Sequence, residues 1–236
     1  MVQTAGNGQS HWRTDYLGER AVAKDEPEAF LIEMTPGETI LPHFHAVDQF
    51  QIFVEGVGTL GRSPVLPVMV HYADHHTAYG PIVASETGLS YFTFRPACDP
   101  GAVYRNFPDY RARLKPSRRR HSTVAVQLST PPVLAARSGV RVDPLLENER
   151  YDDHVSASII RMAPGTRTTG PHPRETGGQY YLVLNGAGSV AGRTCGRWGI
   201  VHVAPEEEPL ELEAESEGAE VLLLAFAKTA PSLVMS

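Results

Sequence analysis

The sequence predicts an all-β protein made of two tandem, similar domains. Short apolar runs recur along the chain between turn residues, a pattern that is typical of strands in a sandwich or barrel. Glycine and proline are plentiful, with 21 and 19 residues among 236, and they fall between these runs. One long segment also occurs twice, which indicates a pair of like domains rather than a solenoid.

Six apolar runs have the length and composition of strands. They cover residues 29–34, 49–54, 89–94, 156–162, 180–184 and 221–227. Turn residues such as Pro36-Gly37 and Gly80-Pro81 bound these runs. Amphipathic helical patterns are few, and residues 109–115 are the best candidate for a helix.

The internal repeat sets the predicted domains. FLIEMTPG followed by QFQIFVEGVGTLGR in the first half matches SIIRMAPG followed by QYYLVLNGAGSVAGR in the second. Between the two copies lies the basic run RARLKPSRRR, residues 111–120, which we interpret as a solvated linker or an interface arm. The sequence therefore predicts domains at residues 1–110 and 121–236.

Composition excludes several classes of function. The net charge of −6 offers no general attraction for nucleic acid or an anionic membrane. No apolar run approaches the roughly 20 residues of a membrane span, and the polar start has no apolar signal sequence. The two cysteines show no metal-binding or disulfide spacing. We expect a cytoplasmic protein with neither nucleic-acid nor membrane partners.

The pair His43 and His45 is the strongest indication of chemistry. Residues two apart on a strand point to the same side of the sheet. Neutral imidazole is the commonest metal ligand in proteins, so the pair predicts half of a mononuclear metal site.

The spacing around this pair resembles a known motif. Gly37-x5-His43-x-His45-x3-Gln49-x6-Gly56 is similar to the first motif of the cupin superfamily, in which glutamate normally occupies the position of Gln49. The resemblance implies two double-stranded β-helix (jelly-roll, cupin) barrels. It also implies a homodimer and a likeness to two-barrel proteins of the quercetin dioxygenase type.

The second cupin motif is matched in spacing by His71, Ala73, His76 and Gly80. On this resemblance His76 is favoured over His75 as a third metal ligand, and His71 is interpreted as a strand or edge residue. The second repeat has lost the signature, because His172-Pro173-Arg174 stands where the histidine pair should be. The predicted metal site therefore lies in the first barrel, with His43, His45, His76 and Gln49 as its candidate ligands.

The replacement of glutamate by Gln49 raises the main chemical question. A neutral amide leaves the charge of a divalent ion uncompensated, and it cannot act as a base at neutral pH. Gln49 either ligates the metal or only hydrogen-bonds a bound water or substrate, and both readings stay open. If Gln49 points inward, strand alternation places Gln51 and Phe53 on the same face, and Tyr79 is expected near the rim of this substrate pocket.

These observations predict a metal-dependent enzyme that acts on a small organic molecule, with a dioxygenase as the leading hypothesis. Fe(II) is the favoured metal, with Zn, Mn or Ni as alternatives. A redox-neutral lyase, isomerase or cyclase is a second hypothesis, in which His75, Tyr79 or metal-bound hydroxide moves a proton. A non-catalytic binding protein is the third, and the sequence assigns no catalytic residue.

Overall fold

The computed structural model describes residues 2–4, 11–146, 153–190 and 192–228. The chain forms two compact units that divide between Val126 and Gln127. Each unit is an antiparallel double-stranded β-helix barrel, which confirms the predicted all-β fold of two tandem barrels. In the described part of the chain, no helix is both long and apolar enough to cross a membrane.

The described strands of the first unit alternate with short turns. They are β1 Val2–Thr4, β2 His11–Leu17, β3 Glu28–Met34, β4 Thr39–Ile40, β5 His43–Phe44, β6 Gln49–Leu60, β7 Ser63–Val65, β8 Met69–Ala73, β9 Ile82–Arg95, β10 Val103–Tyr104 and β11 His121–Ala125. A short helix, α1 (Tyr110–Arg113), lies within the predicted helical segment. The main sheet runs in the order β1-β2-β3-β9-β6-β8-β11, with β4 on β9 and β7 on β6, while β5 pairs with β10.

The second unit repeats this design. Its elements are α2 Pro131–Ala135, β12 Val140–Leu146, β13 Ser156–Met162, β14 Arg167–Thr169, a 3₁₀ turn Pro173–Glu175, β15 Gln179–Val190, β16 Arg193–Cys195, β17 Ile200–Val203 and β18 Glu211–Ala225. The sheet order is β12-β13-β18-β15-β16, with β14 on β18 and β17 on β15. The long central pair β15 and β18 corresponds to β6 and β9 of the first unit.

The structure moves the domain boundary predicted at residue 120. Strand β11 pairs antiparallel with β8 along its whole length, so its backbone hydrogen bonds belong to the first sheet. The predicted linker 111–120 also belongs to the first unit, because the guanidinium of Arg120 lies 2.7 Å from the buried carboxylate of Asp74. The end of the basic run, interpreted from the sequence as solvated, is therefore ion-paired with the buried Asp74.

The register of the central strands decides which side chains face the barrel interior. Gln51 of β6 lies opposite His71 of β8 and Thr93 of β9. Because neighbouring strands share the phase of their pleat, these three side chains lie on one face. Phe50 and Ile52 face the other way and are also fully buried, so β6 is covered on both sides. This double burial explains the nearly continuous apolar run at 49–54.

Two glycines at equivalent places of the repeat fix a tight crossing of the central strands. Gly56 has a φ of +71°, and a Cβ there would lie 2.2 Å from the carbonyl oxygen of Gly88. Gly186 has a φ of +66°, and its Cβ would lie 2.1 Å from the carbonyl oxygen of Gly218. Both positions therefore exclude any side chain, on grounds of backbone conformation and of space.

Replacing these glycines should destabilise the barrels far more than replacing turn glycines. We expect Gly56→Ala and Gly186→Ala each to lower the free energy of unfolding by about 3 kcal/mol, from left-handed strain and backbone overlap. Gly37→Ala and Gly165→Ala are matched controls, since their φ values are also positive but a Cβ would meet nothing within 4 Å. These controls should cost about 1 kcal/mol in urea unfolding. Equal losses in both pairs would contradict the close packing.

Candidate active site

The first barrel contains a polar cavity of about 220 Å³, called here the barrel pocket. Its wall combines imidazole, guanidinium and phenol groups with single amide, hydroxyl and carboxylate side chains. The polar residues that line it are His11, Arg13, Arg20, His43, His45, Gln51, Tyr79, Tyr91, Thr93, Arg95, Asp99 and Tyr104.

The two histidines of the motif enter this pocket from β5 and the residue that follows it. Their ring centroids lie 5.1 Å apart, as expected for alternate residues of an extended segment. Phe44, between them, points away from the pocket, and its ring packs against His76 and Tyr110. Backbone hydrogen bonds between His43 and Tyr79 in both directions hold the segment in place.

A hydrogen-bonded chain connects His43 to Gln49 through Tyr79. The Nδ1–H of His43 donates to the carbonyl oxygen of Leu41 at 2.7 Å, so Nε2 carries the lone pair. This Nε2 accepts from the hydroxyl of Tyr79 at 2.9 Å. The amide nitrogen of Gln49 in turn donates to the same hydroxyl. Tyr79 is therefore hydrogen-bonded to both His43 and Gln49.

Arg95 completes the chain and supplies its charge. Its Nε and Nη2 donate to Oε1 of Gln49 at 3.2 and 3.1 Å. Its Nη2 also lies 3.1 Å from both ring nitrogens of His45. Its Nη1 forms a 2.7 Å ion pair with Glu28, a fully buried carboxylate that also binds Arg13. Arg95 is 3% exposed, so the ion pair of its guanidinium with Glu28 is held inside the barrel beside the histidine pair.

Asp99 sets the orientation of His45. Its Oδ1 lies 2.8 Å from Nδ1 of His45 and accepts from the amide of Gly101 at 2.7 Å. Its Oδ2 accepts from the amide of Ala46 at 2.9 Å. His45 thus carries its proton on Nδ1, and its Nε2 is free to accept from Arg95.

Burial keeps both imidazoles neutral. Desolvation, aided by the neighbouring His45, lowers the pKa of His43 to about 3. Desolvation and the charge of Arg95 lower the pKa of His45, and Asp99 opposes them only in part. Burial raises the pKa of Asp99, but the hydrogen bond from His45 and the charge of Arg95 outweigh it, so the pKa lies below the usual range. The site therefore combines neutral rings with a carboxylate and a guanidinium.

These donors do not fit a divalent metal ion. The atoms through which His43 and Gln49 would bind a metal are already paired with Tyr79 and Arg95. Nε2 of His45 faces the same guanidinium, so its lone pair is also taken up by Arg95. Among the described residues, no group of three or more histidine, cysteine or acidic side chains is arranged to hold a metal.

The structure does not bring His76 to the predicted ligand set. Its ring packs on Phe44, on the side of the strand away from the pocket, and its backbone amide donates to the carbonyl of His45. His75 is also elsewhere, where its side chain is 45% exposed and paired with Asp48 at 2.6 Å. A turn between β8 and Tyr79 carries both histidines past the barrel interior.

Two of the three predicted pocket residues line the cavity. Gln51 and Tyr79 line the barrel pocket. Phe53 does not, because it is fully buried in an apolar cluster with Tyr91 and other interior residues. His71, interpreted from the sequence as a strand or edge residue, lies in strand β8 and is fully buried, and its Nε2 has no partner among the described groups.

Arg95 and Asp99 are the site residues that the motif did not indicate. Arg95 continues the alternation of Leu89, Tyr91 and Thr93 on β9, so the period of two placed it on the interior face. A charged residue on the interior face, at the end of an apolar run, could have indicated that Arg95 belongs to the site. No comparable signal existed for Asp99, which lies in an irregular segment after β9.

The second barrel differs from the first in its interior. Its described interior is an apolar cluster that includes Ile160, Met162, Tyr181 and Leu223. Gln179, the repeat partner of Gln49, only bonds Tyr181 and the carbonyl of Pro171.

Known structures share this fold. No protein-family model matches the sequence, and no curated protein is significantly similar to it. The chain is similar to a cupin 2 conserved barrel domain protein from Leptotrichia buccalis, with 14% identity, a TM-score of 0.52, and 95% and 92% of the two chains covered.

Two structures described as enzymes are also similar. One is an oxalate decarboxylase from Lactobacillus farciminis in a formate complex, with 10% identity, a TM-score of 0.58, and 97% and 84% of the chains covered. The other is a salicylate 1,2-dioxygenase from Pseudaminobacter salicylatoxidans, with 14% identity, a TM-score of 0.55, and 86% and 71% covered. Together these likenesses show a cupin fold.

Asp99→Asn should destabilise the first barrel although it preserves shape. Both carboxylate oxygens face N–H donors, so an amide NH₂ meets a donor in either orientation. We expect a loss of about 2–3 kcal/mol in the free energy of unfolding, measured with urea. Asp109→Asn is the control, because its side chain is 61% exposed and 3.9 Å from Arg113. It should lose less than about 0.5 kcal/mol, and a similar loss in both variants would contradict the assigned role.

Proposed function

We propose that the first barrel is a binding site for a small organic hydroxy acid, held in the barrel pocket by its carboxylate and its hydroxyl group. The main observation behind this proposal is that the buried guanidinium of Arg95 is hydrogen-bonded at the polar centre of the barrel. The other supports are Arg20 and Gln51 in the pocket wall.

Arg20 can bind the carboxylate of the ligand. This half-buried side chain lines the pocket and forms no ion pair with any residue that the structure describes. Arginine binds planar carboxylates through two parallel N–H donors, and it stays charged at all physiological pH values.

Gln51 can accept a hydrogen bond from the hydroxyl group of the ligand. The side-chain oxygen Oε1 is buried and has no hydrogen-bond partner among the described residues. A buried acceptor of this kind requires a donor, which a ligand hydroxyl can supply. Burial raises the pKa values of Tyr91 and Tyr104, so their phenols stay neutral in the pocket wall. An acid that carries a hydroxyl group matches this mixture better than a plain carboxylate.

The hydrogen bonds of the histidine pair favour binding over catalysis. Nε2 of His43 already accepts from Tyr79, and Nε2 of His45 faces Arg95. Neither ring has a free lone pair with which to take a proton from a ligand. The names of two structural neighbours, an oxalate decarboxylase and a salicylate dioxygenase, support an acidic ligand.

Binding should therefore discriminate acids from their amides. We expect lactate or salicylate to bind in isothermal titration calorimetry at least about tenfold more tightly than lactamide or salicylamide, because only the acids pair with Arg20. Arg20→Gln should weaken binding of the acid by about tenfold, while the exposed Arg113→Gln should bind it as the wild type does. If no acid binds, or if Arg20→Gln binds it unchanged, the proposed function is wrong.

A dioxygenase is the second candidate, favoured by the histidine pair and by the similarity to the salicylate dioxygenase. It requires Arg95 to leave both Gln49 and His45, which Arg95 contacts in this structure. The test is dioxygen consumption with salicylate and added Fe(II), with His43→Gln as the control. Consumption that His43→Gln abolishes would favour this candidate over simple binding.

A further inference from the structure

A second cavity of the first unit lies outside the barrel pocket. It is an open groove of about 830 Å³, called here the arginine groove. Three arginines and two aromatic residues give it its chemical character: Arg62, Arg105, Arg111, Phe107 and Tyr110.

The three arginines reach the groove from separate segments of the fold. Arg62 lies in the turn after β6, Arg105 follows β10, and Arg111 belongs to α1. Backbone hydrogen bonds fix the walls, from the amide of Gly61 to Pro81 at 2.8 Å and from the amide of Arg105 to Pro42 at 2.9 Å. The convergence is therefore built by the fold rather than by neighbouring sequence.

No acidic residue balances this charge. The lining of the arginine groove contains neither aspartate nor glutamate. The side chains of Arg62, Arg105 and Arg111 form no ion pair with any residue in the described ranges. The chain as a whole carries a net charge of −6, so the groove is a local positive surface on an acidic protein. Such a surface concentrates anions and holds them more strongly as their charge increases.

We propose that the arginine groove binds a small organic molecule that carries several phosphate or carboxylate groups. Three guanidinium groups from different directions can each pair with one oxyanion. Phe107 and Tyr110 provide an aromatic wall for the apolar or ring portion of the same molecule. A single carboxylate would leave two guanidinium groups unpaired, so the geometry favours a multivalent anion.

This groove is distinct from the barrel pocket, although Tyr79 lies between them and lines both. The hydroxyl of Tyr79 is committed to His43 and Gln49 on the inner side. The groove therefore offers arginines on the outer side and the barrel pocket offers Arg20 on the inner side. The two sites are expected to respond to different substitutions.

The test uses the whole protein and the probes pyrophosphate, tripolyphosphate and propane-1,2,3-tricarboxylate, which has no hydroxyl group, in isothermal titration calorimetry. We expect a one-to-one complex whose affinity falls at higher salt, since the charges are exposed and screened. Each of Arg62→Gln, Arg105→Gln and Arg111→Gln should weaken binding by about threefold or more, and the triple variant should bind no probe measurably. Comparing the phosphates with the tricarboxylate distinguishes phosphate from carboxylate as the preferred group.

Two variants serve as controls. Arg113→Gln removes an exposed arginine of α1 that does not line the groove and lies near Asp109, and it should leave binding unchanged. Arg20→Gln should also leave binding of the polyanions unchanged, which separates this site from the barrel pocket. Absence of binding by the wild type, or equal binding by the triple variant, would overturn the proposal. A thermal unfolding curve identical to that of the wild type shows that the triple variant is folded.

Discussion

The polar centre of the first barrel is held together by the contacts of the buried Arg95 guanidinium. It joins the end of β9 to Glu28 on β3 and to Gln49 on β6, and it contacts His45 in the segment after β5. A charge in an apolar interior is costly unless it is paired and hydrogen-bonded, and here the carboxylate of Glu28 and the amide of Gln49 meet that need. The polar centre is therefore one network, and its members have few alternative partners.

This network explains why Gln49 suits its position. An amide presents its oxygen to Arg95 and its nitrogen to Tyr79 at the same time, whereas a carboxylate has no N–H with which to reach the phenol. Tyr79 then satisfies the lone pair of His43. In the second barrel Gln179 lies at the corresponding place of the repeat. The described interior there is an apolar cluster, and the amide bonds Tyr181 and the carbonyl of Pro171.

Much of the fold could be predicted from the sequence, because strands, turns and the repeat are written in local patterns. Ser156–Met162 matches its predicted bounds, while β6 extends beyond its predicted end because the Gly56 crossing bends the strand without ending it. The site was predicted less completely. His45 and Tyr79 follow from spacing and alternation, but the contact between Arg95 and Gln49 depends on which strands pair, and that information is absent from any short motif.

The hydroxyl of Tyr79 and the guanidinium of Arg95 take up the lone pairs through which His43, His45 and Gln49 would bind a metal ion. The direct measurement is titration of Mn(II) or Fe(II) into the purified protein, followed by calorimetry, beside the double variant His43→Gln/His45→Gln. We expect the wild type to bind the metal no more tightly than the double variant does. A one-to-one complex of the wild type that the double variant loses would contradict this expectation.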